Sequence, residues 1–235
     1  MPSAKNSRII RKTHRYLGLF IGIQFLLWTS SGLYFSWTDI DEIHGDHFRA
    51  PTEVVSHTGG LSVQGVPADL SIQSLELKTI LGRPYFWINN KLLLDAKTGQ
   101  SKNGITEQQA LQIAAARMRS DLQVESVHLL HEVDIQHEYR GRPLPVFQIN
   151  YRHSDNVSAY VSQADGTFQR VRHRYWRWFD FLWMTHVMDY KARDNINNWL
   201  LRAFSVLGLV TVFSGFLLWF ISSSRVRRVL NFFNK

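Results

Sequence analysis

Two long runs without a charged side chain constrain the fold of this chain more than any other feature. The first run covers residues 17–37 and the second covers residues 203–221, with lengths of 21 and 19 residues. A helix needs ~20 apolar residues to cross the hydrocarbon core of a bilayer. No small-residue cleavage site follows the first run, as a signal peptide would require. The sequence therefore predicts two retained membrane-spanning helices, at residues 16–37 and 199–221.

The distribution of charge predicts the orientation of these helices. Five cations precede the first span and four follow the second, whereas residues 38–198 carry 17 Lys and Arg against 19 Asp and Glu. Loops and tails rich in Lys and Arg stay on the cytoplasmic side of a membrane. We therefore expect a bacterial inner-membrane protein with cytoplasmic tails at residues 1–15 and 222–235 and a periplasmic central domain. The net charge of +8 then reflects orientation and gives no indication of nucleic-acid binding.

The absence of cysteine limits the redox chemistry that is open to the chain. Disulfides, iron–sulfur clusters and covalent haem attachment through Cys-x-x-Cys-His are excluded. No Gly-x-Gly-x-x-Gly precedes a helix, so no nicotinamide or flavin domain is evident. Any haem must be held by non-covalent contacts and by His, Met or Tyr ligands, and its electrons must come from membrane quinol or from a separate reductase.

The region between the spans alternates between apolar and polar residues in the manner of β-strands. Thr106 predicts a helix start, with Ala110, Ile113, Ala114 and Met118 on the apolar face. Two Asp/Gly turns, at residues 95–100 and 165–167, close similar strand patterns. Strands are predicted at residues 72–80, 85–88, 91–94, 124–130, 146–151 and 157–162. The predicted fold class is α+β: two transmembrane helices flank a periplasmic domain (residues 38–174) with antiparallel sheets, followed by an amphipathic interfacial segment (residues 175–198).

One face of the first span carries a histidine and several small residues. On a helix that turns ~100° per residue, seven side chains fall within about 40° of one line: His14, Gly18, Gly22, Phe25, Thr29, Gly32 and Ser36. Gly-x-x-x-Gly is a helix-packing motif, and packing is one interpretation of this face. The other is that His14 is an axial haem ligand, with Gly18 and Gly22 leaving room for the porphyrin. A histidine that extends to the interface beside Arg11 and Arg15 is the alternative for His14.

A second histidine lies in an aromatic segment that precedes the second span. As a helix, this segment places Phe179, Trp183, His186 and Tyr190 on one side. His186 is therefore a candidate ligand of haem b, because a haem pocket needs apolar walls and an axial imidazole. The alternative is an amphipathic segment anchored by tryptophans in the interface. Arg202 could bind a haem propionate or extend to a lipid phosphate.

Two charged segments are further candidates for binding. Six possible metal ligands follow the first span: Asp39, Asp41, Glu42, His44, Asp46 and His47. Such ligands suit iron, and the alternative is an ordinary polar exit from the membrane. A basic run follows in the sequence: Arg170, Arg172, Arg174 and Arg177. One interpretation is a solvated or lipid-facing surface, and the other is a surface that attracts anionic ferric chelates.

Three segments resemble one known family. Residues 92–100 (LLLDAKTGQ) resemble the closing turn of a PepSY domain, residues 14–18 with Ser31 and Gly32 resemble the first helix of PepSY-associated transmembrane proteins, and residues 176–219 resemble their later membrane segment. The family includes siderophore reductases with two haems and small inner-membrane ferric iron reductases of the VciB kind. The resemblance implies a b-type haem protein that passes electrons outward and reduces ferric iron, free or chelated, for a ferrous iron transporter.

This chain has two spans where the larger reductases have four, so we expect a homodimer. In that dimer, paired His14 residues would hold a haem on the cytoplasmic side and paired His186 residues a haem on the outer side. The alternative function is non-enzymatic: a membrane-anchored PepSY module that binds and modulates another protein.

Overall fold

The computed structural model describes residues 4–51, 55–57, 59–61 and 65–223, with side chains from residue 8 onward. Nearly all of the predicted tail at residues 222–235 lies outside the described residues. The chain forms two compact units, one of residues 1–37 with 180–235 and one of residues 38–179.

The first unit contains two long apolar helices. Helix α1 covers Ala4–Trp37 and helix α5 covers Trp199–Ser222, and both are long and apolar enough to cross a membrane. They pack through aromatic rings and glycine: a Cβ added at Gly208 would lie 3.0 Å from the ring of Phe25. The two predicted spanning helices are therefore confirmed.

A shorter helix and a hydrogen-bonded loop lead into α5. Helix α4 covers Arg174–Val187. The Asp189 carboxylate accepts hydrogen bonds from the backbone N–H groups of Lys191, Ala192 and Asn195, which fixes the loop. Asn198 then caps α5 by accepting from the backbone N–H of Leu201.

The second unit begins with helix α2 (Ile40–His44) and a 3₁₀ turn (Asp46–Phe48). Its first sheet has four antiparallel strands in chain order: β1 (Leu75–Ile80), β2 (Arg83–Ile88), β3 (Leu92–Asp95) and β4 (Ser101–Lys102). Leu81 and Gly82, with φ of 50° and 79°, form the two-residue turn between β1 and β2.

The second sheet has the same topology. Its strands are β5 (Val124–Leu130), β6 (Val146–Tyr151), β7 (Ser158–Ser162) and β8 (Phe168–Arg172). Helix α3 (Glu107–Arg117) begins with a capping box of Thr106 and Gln109 and packs on this sheet. One buried cluster joins α3 to both sheets through side chains such as Ile113, Trp87 and Ile149.

The predicted fold class, α+β with antiparallel sheets between two spanning helices, is confirmed. Both Asp/Gly turns join the third and fourth strands of their sheets, which explains their similarity in the sequence. Strand β8 was not predicted, since its arginines resemble an exposed basic run. Arg172 is nevertheless only 6% exposed.

Candidate functional site

His186 lies in the last turn of α4 and faces α1. Its Nδ1 atom is 2.7 Å from Ser31 Oγ, and Ser31 is only 1% exposed. The indole N–H of Trp28 donates to the His186 backbone carbonyl at 2.7 Å. Two hydrogen bonds from α1 therefore hold this residue, one at its imidazole and one at its backbone carbonyl.

Aromatic rings surround the same imidazole. The Phe35 ring is 5.6 Å away in an edge-on arrangement, and the Trp183 ring is stacked at 6.4 Å. Helix α4 ends at Val187, and Met188 has a φ of 55°, so Tyr190 is not on this helix face. The prediction for Tyr190 is therefore wrong, because the chain leaves the helix before that residue.

His14 forms a similar hydrogen bond near the other end of α1. Its Nδ1 atom is 2.7 Å from Ser214 Oγ on α5. The ring also lies over Gly215, where an added Cβ would meet the His14 Cε1 atom at 3.2 Å. His14 is thus held against α5, and its position relative to the membrane interface beside Arg11 and Arg15 stays a prediction.

The two imidazoles lie at different levels of the helix pair. His14 and Ser31, which contacts His186, are 17 residues apart on one helix. At 1.5 Å per residue this separation is about 25 Å along α1. One planar cofactor cannot contact both rings.

The small residues of α1 do not form the intramolecular helix contact. A Cβ added at Gly18, Gly22 or Gly32 would meet no atom within 4 Å. The packing glycines are instead Gly208 and Gly215 of α5. Thr29 and Ser36 are exposed. Space therefore remains open on α1 beside His14. A bound haem would require this space, and so would contact with a second chain.

Arg202 lies in the first turn of α5 and is exposed. Its side chain has no hydrogen-bond or ion-pair partner within the described part of the chain, and its role as a propionate or lipid ligand stays a prediction.

In the acidic segment after α1, two of the six candidate ligands have structural contacts. Asp39 caps α2 by accepting from the Asp41 backbone N–H at 2.9 Å, and Asp46 pairs with Arg49 at 3.3 Å. The other members of the segment are exposed: Asp41, Glu42, His44 and His47. Among the residues that the structure describes, no three His, Asp or Glu side chains come together as metal ligands. Iron binding by this segment stays a prediction.

The basic run is largely part of the structure of the second unit. The guanidinium of Arg172 lies 3.8 Å from the ring centroid of Trp176 and donates to the Glu138 carbonyl. Arg177 forms two hydrogen bonds with the Glu138 carboxylate, at 2.6 and 3.1 Å. The same carboxylate accepts from the Tyr160 hydroxyl at 2.6 Å. For Arg172, which is only 6% exposed, the interpretation as a solvated or lipid-facing surface is therefore wrong, because its guanidinium pairs inside the domain. The Arg177 side chain is 37% exposed, so for Arg177 that interpretation stays open.

Three residues with specific roles in this geometry were not predicted. Ser31 and Ser214 each bind a histidine that is distant in sequence, so no local pattern reveals them. The third, His173, is fully buried, and its Nε2 atom lies 3.1 Å from the carbonyls of both Glu42 and Ile43. Burial lowers the pKa of His173, while its hydrogen bonds to these carbonyls oppose that shift.

Two spanning helices that flank an α+β domain with two antiparallel sheets define a class of membrane-anchored proteins. The family model described as the PepSY-associated TM region matches residues 11–234, and the chain belongs to this family. Comparison with curated proteins found no match, and comparison with solved structures found none either. The predicted family is thus confirmed, and the likeness to ferric reductases of the VciB kind stays a prediction.

Proposed function

We propose that this chain is a b-type haem protein of the bacterial inner membrane that reduces ferric iron to ferrous iron on the periplasmic side. Electrons would enter from membrane quinol or a separate reductase and leave on the outer side. The ferrous product would supply a ferrous iron transporter. This function accords with the family and with the absence of cysteine ligands.

One observation supports this proposal above the others. Two histidines on different helices each form a hydrogen bond through Nδ1 to a serine of a neighbouring helix. For neither ring does the described part of the chain supply a hydrogen-bond partner at Nε2. An imidazole held through one nitrogen, with the other nitrogen available, is the usual arrangement of a metal-ligating histidine.

The surroundings of these histidines fit haem as the implied cofactor. His186 has aromatic walls, from Phe35 and Trp183. His14 has open space along Gly18 and Gly22. His14 and His186 would hold the iron, and Arg202 would bind a propionate. When bound, haem would supply reversible one-electron transfer.

The absorption spectrum of the purified chain tests the cofactor. Protein from haem-replete cells is expected to show a Soret band and bands that shift on reduction with dithionite. His14→Ala and His186→Ala should each remove about half of the haem per chain, because the two sites are about 25 Å apart.

His131→Ala is the matched control, since His131 is exposed in the second unit. Its haem content should equal that of the unaltered chain. A colourless wild-type preparation, or full haem content in the His14→Ala, His186→Ala double variant, would contradict the proposal.

Reduction of ferric citrate by the chain in liposomes, with a quinol donor and a ferrous-specific dye, tests the reaction. Both histidine variants should lose activity, whereas His131→Ala should retain it. Equal rates for all variants would exclude electron transfer through these sites.

A cleft in the second unit favours the alternative function, a module that binds another protein. The cleft has a volume of about 730 Å³ and borders the edge strand β1. Leu77 and Phe168 give it apolar walls, and Lys78 and Asp165, which form an ion pair at 3.3 Å, also line it. A partner that co-purifies with the His14→Ala, His186→Ala double variant and is lost with Leu77→Asp would support this alternative. If the Leu77→Asp variant and the unaltered chain co-purify with the same proteins, this alternative is contradicted.

A further inference from the structure

We propose that Ser31 and Ser214 are positioning residues that hold His186 and His14 in the tautomer with the proton on Nδ1. Each ring then presents the lone pair of Nε2. The purpose of this arrangement rests on the proposed function, whereas the proton on Nδ1 is inferred from the hydrogen bonds themselves.

Ser31 has a single hydroxyl proton, and its neighbours determine where that proton goes. Its Oγ atom lies 2.7 Å from the Leu27 carbonyl and 3.1 Å from the Trp28 carbonyl. Carbonyl oxygens only accept hydrogen bonds. The hydroxyl therefore donates to its own helix, and towards His186 Nδ1, at 2.7 Å, Ser31 Oγ can only accept. The proton between these two atoms belongs to Nδ1.

Ser214 repeats this arrangement on α5. Its Oγ atom lies 2.7 Å from the Thr211 carbonyl and 2.7 Å from His14 Nδ1. The hydroxyl proton goes to the carbonyl, so His14 Nδ1 donates to Ser214 Oγ. The reverse assignment would place two oxygen lone pairs against each other at 2.7 Å with no proton between them.

The same arrangement occurs twice with the helices exchanged. At one end α1 supplies the serine, and at the other end α1 supplies the histidine. A neutral imidazole with the proton on Nδ1 has its lone pair on Nε2, the atom that binds a metal. Hydrogen bonds of this kind fix the tautomer and orientation of metal-ligating histidines.

The tautomers can be measured on the full-length, haem-free chain in lipid nanodiscs. Histidine labelled with ¹⁵N gives different nitrogen resonances for protonated and unprotonated ring nitrogens, and His14→Gln and His186→Gln assign the signals. Both rings are expected to carry the proton on Nδ1. Ser31→Ala should give a mixture of tautomers at His186 alone, and Ser214→Ala should do so at His14 alone.

Two pairs of variants separate this role from general helix stability. Ser31→Thr and Ser214→Thr keep a hydroxyl that can donate to its own helix, and should restore the Nδ1 tautomer. Ser36→Ala and Ser205→Ala remove hydroxyls that donate to Leu33 and Leu201 of their own helices and should change neither histidine. Protons on Nε2 in the unaltered chain, or unchanged tautomers in the Ser31→Ala and Ser214→Ala variants, would overturn the inference.

Haem titration gives the second measurement. Each Ser→Ala variant at these two positions should bind haem at least tenfold more weakly, the usual effect of removing such a hydrogen bond. A chain that never binds haem but shows both Nδ1 tautomers would contradict the proposed function and support the protonation inference. Normal haem binding with Nε2 protonated before haem is added would overturn the inference and leave the proposed function intact.

Discussion

His173 is a buried histidine whose hydrogen bonds define its charge. Its Nε2 atom donates to two backbone carbonyls, and its Nδ1 atom is buried without a partner among the described residues. The His47 ring lies 5.3 Å away. Burial lowers the pKa of His173, so the folded domain holds this ring neutral.

We predict that the second unit loses stability in acid because of His173. The unfolded chain takes up this proton at a pH near 6.5, whereas the folded domain takes it up only at lower pH. Stability is therefore complete above pH 6.5 and falls as the pH decreases toward the folded pKa. Thermal unfolding in detergent should show a smaller loss between pH 7.5 and 5 for His173→Gln than for the unaltered chain. An unchanged loss in His173→Gln, or a smaller loss in the exposed-site control His131→Gln, would contradict this prediction.

Glu138 contacts three side chains that lie 22 to 39 residues away from it in the sequence. Its carboxylate accepts from Arg177 and Tyr160, and its backbone carbonyl accepts from Arg172. Glu138→Ala should destabilise the second unit by about 2 kcal/mol, because the Tyr160 hydroxyl and the Arg177 guanidinium lose their carboxylate partner. Denaturant titration followed by tryptophan fluorescence measures this change. Glu125→Ala, at an exposed position of β5, should change the free energy of unfolding by less than about 0.5 kcal/mol.

At the scale of elements, the contact between α1 and α5 depends on the glycines of α5. A Cβ at Gly208 would approach the Phe25 ring to 3.0 Å, whereas a Cβ at Gly18 would meet nothing within 4 Å. Gly208→Ala should therefore lower the thermal stability of the helix pair, and Gly18→Ala should leave it unchanged or raise it slightly. Size-exclusion chromatography of heated samples in detergent measures both. The opposite order of stability would show that α1 contacts α5 through another face.

Most elements follow from local patterns in the sequence. Strands β5 and β6 have the predicted bounds, and α3 begins at the predicted Thr106 cap. Strand β8 could not be predicted in this way, because its arginines become buried only through Trp176 and Glu138. The two residues of β4 are too few to carry a periodic pattern.

At the scale of the whole molecule, the sequence points to the two histidines as candidate ligands but not to the residues that hold them. In the sequence, His14 and His186 each lie next to or within a largely apolar segment, which marks them as candidate ligands. Their serine partners are 200 and 155 residues away in the chain. Only the packing of α1 against α5 and α4 brings these residues together, and that packing depends on side-chain shape, which a periodicity does not specify.

The open faces of Gly18 and Gly22 lead to a prediction about assembly. If two chains pair through this face, Gly22→Leu should convert a homodimer to a monomer while each chain keeps its fold, since no described atom lies within 4 Å of an added Cβ there. Native mass spectrometry in detergent measures the mass, and Leu33→Ala, at an exposed position of α1, is the control. A Gly22→Leu chain that remains dimeric would place the interface elsewhere.

Helix α1 runs without interruption from Ala4 to Trp37 and contacts a different helix near each end. Because each residue adds about 100° of rotation, inserting one residue between His14 and Ser31 would turn one contact away from its partner. Inserting seven would restore the direction of both side chains but move the two contacts about 10 Å further apart along α1, so that both could no longer meet their present partners. The number of residues between these two positions is therefore fixed by geometry, so length changes in this segment should be far less tolerated than substitutions.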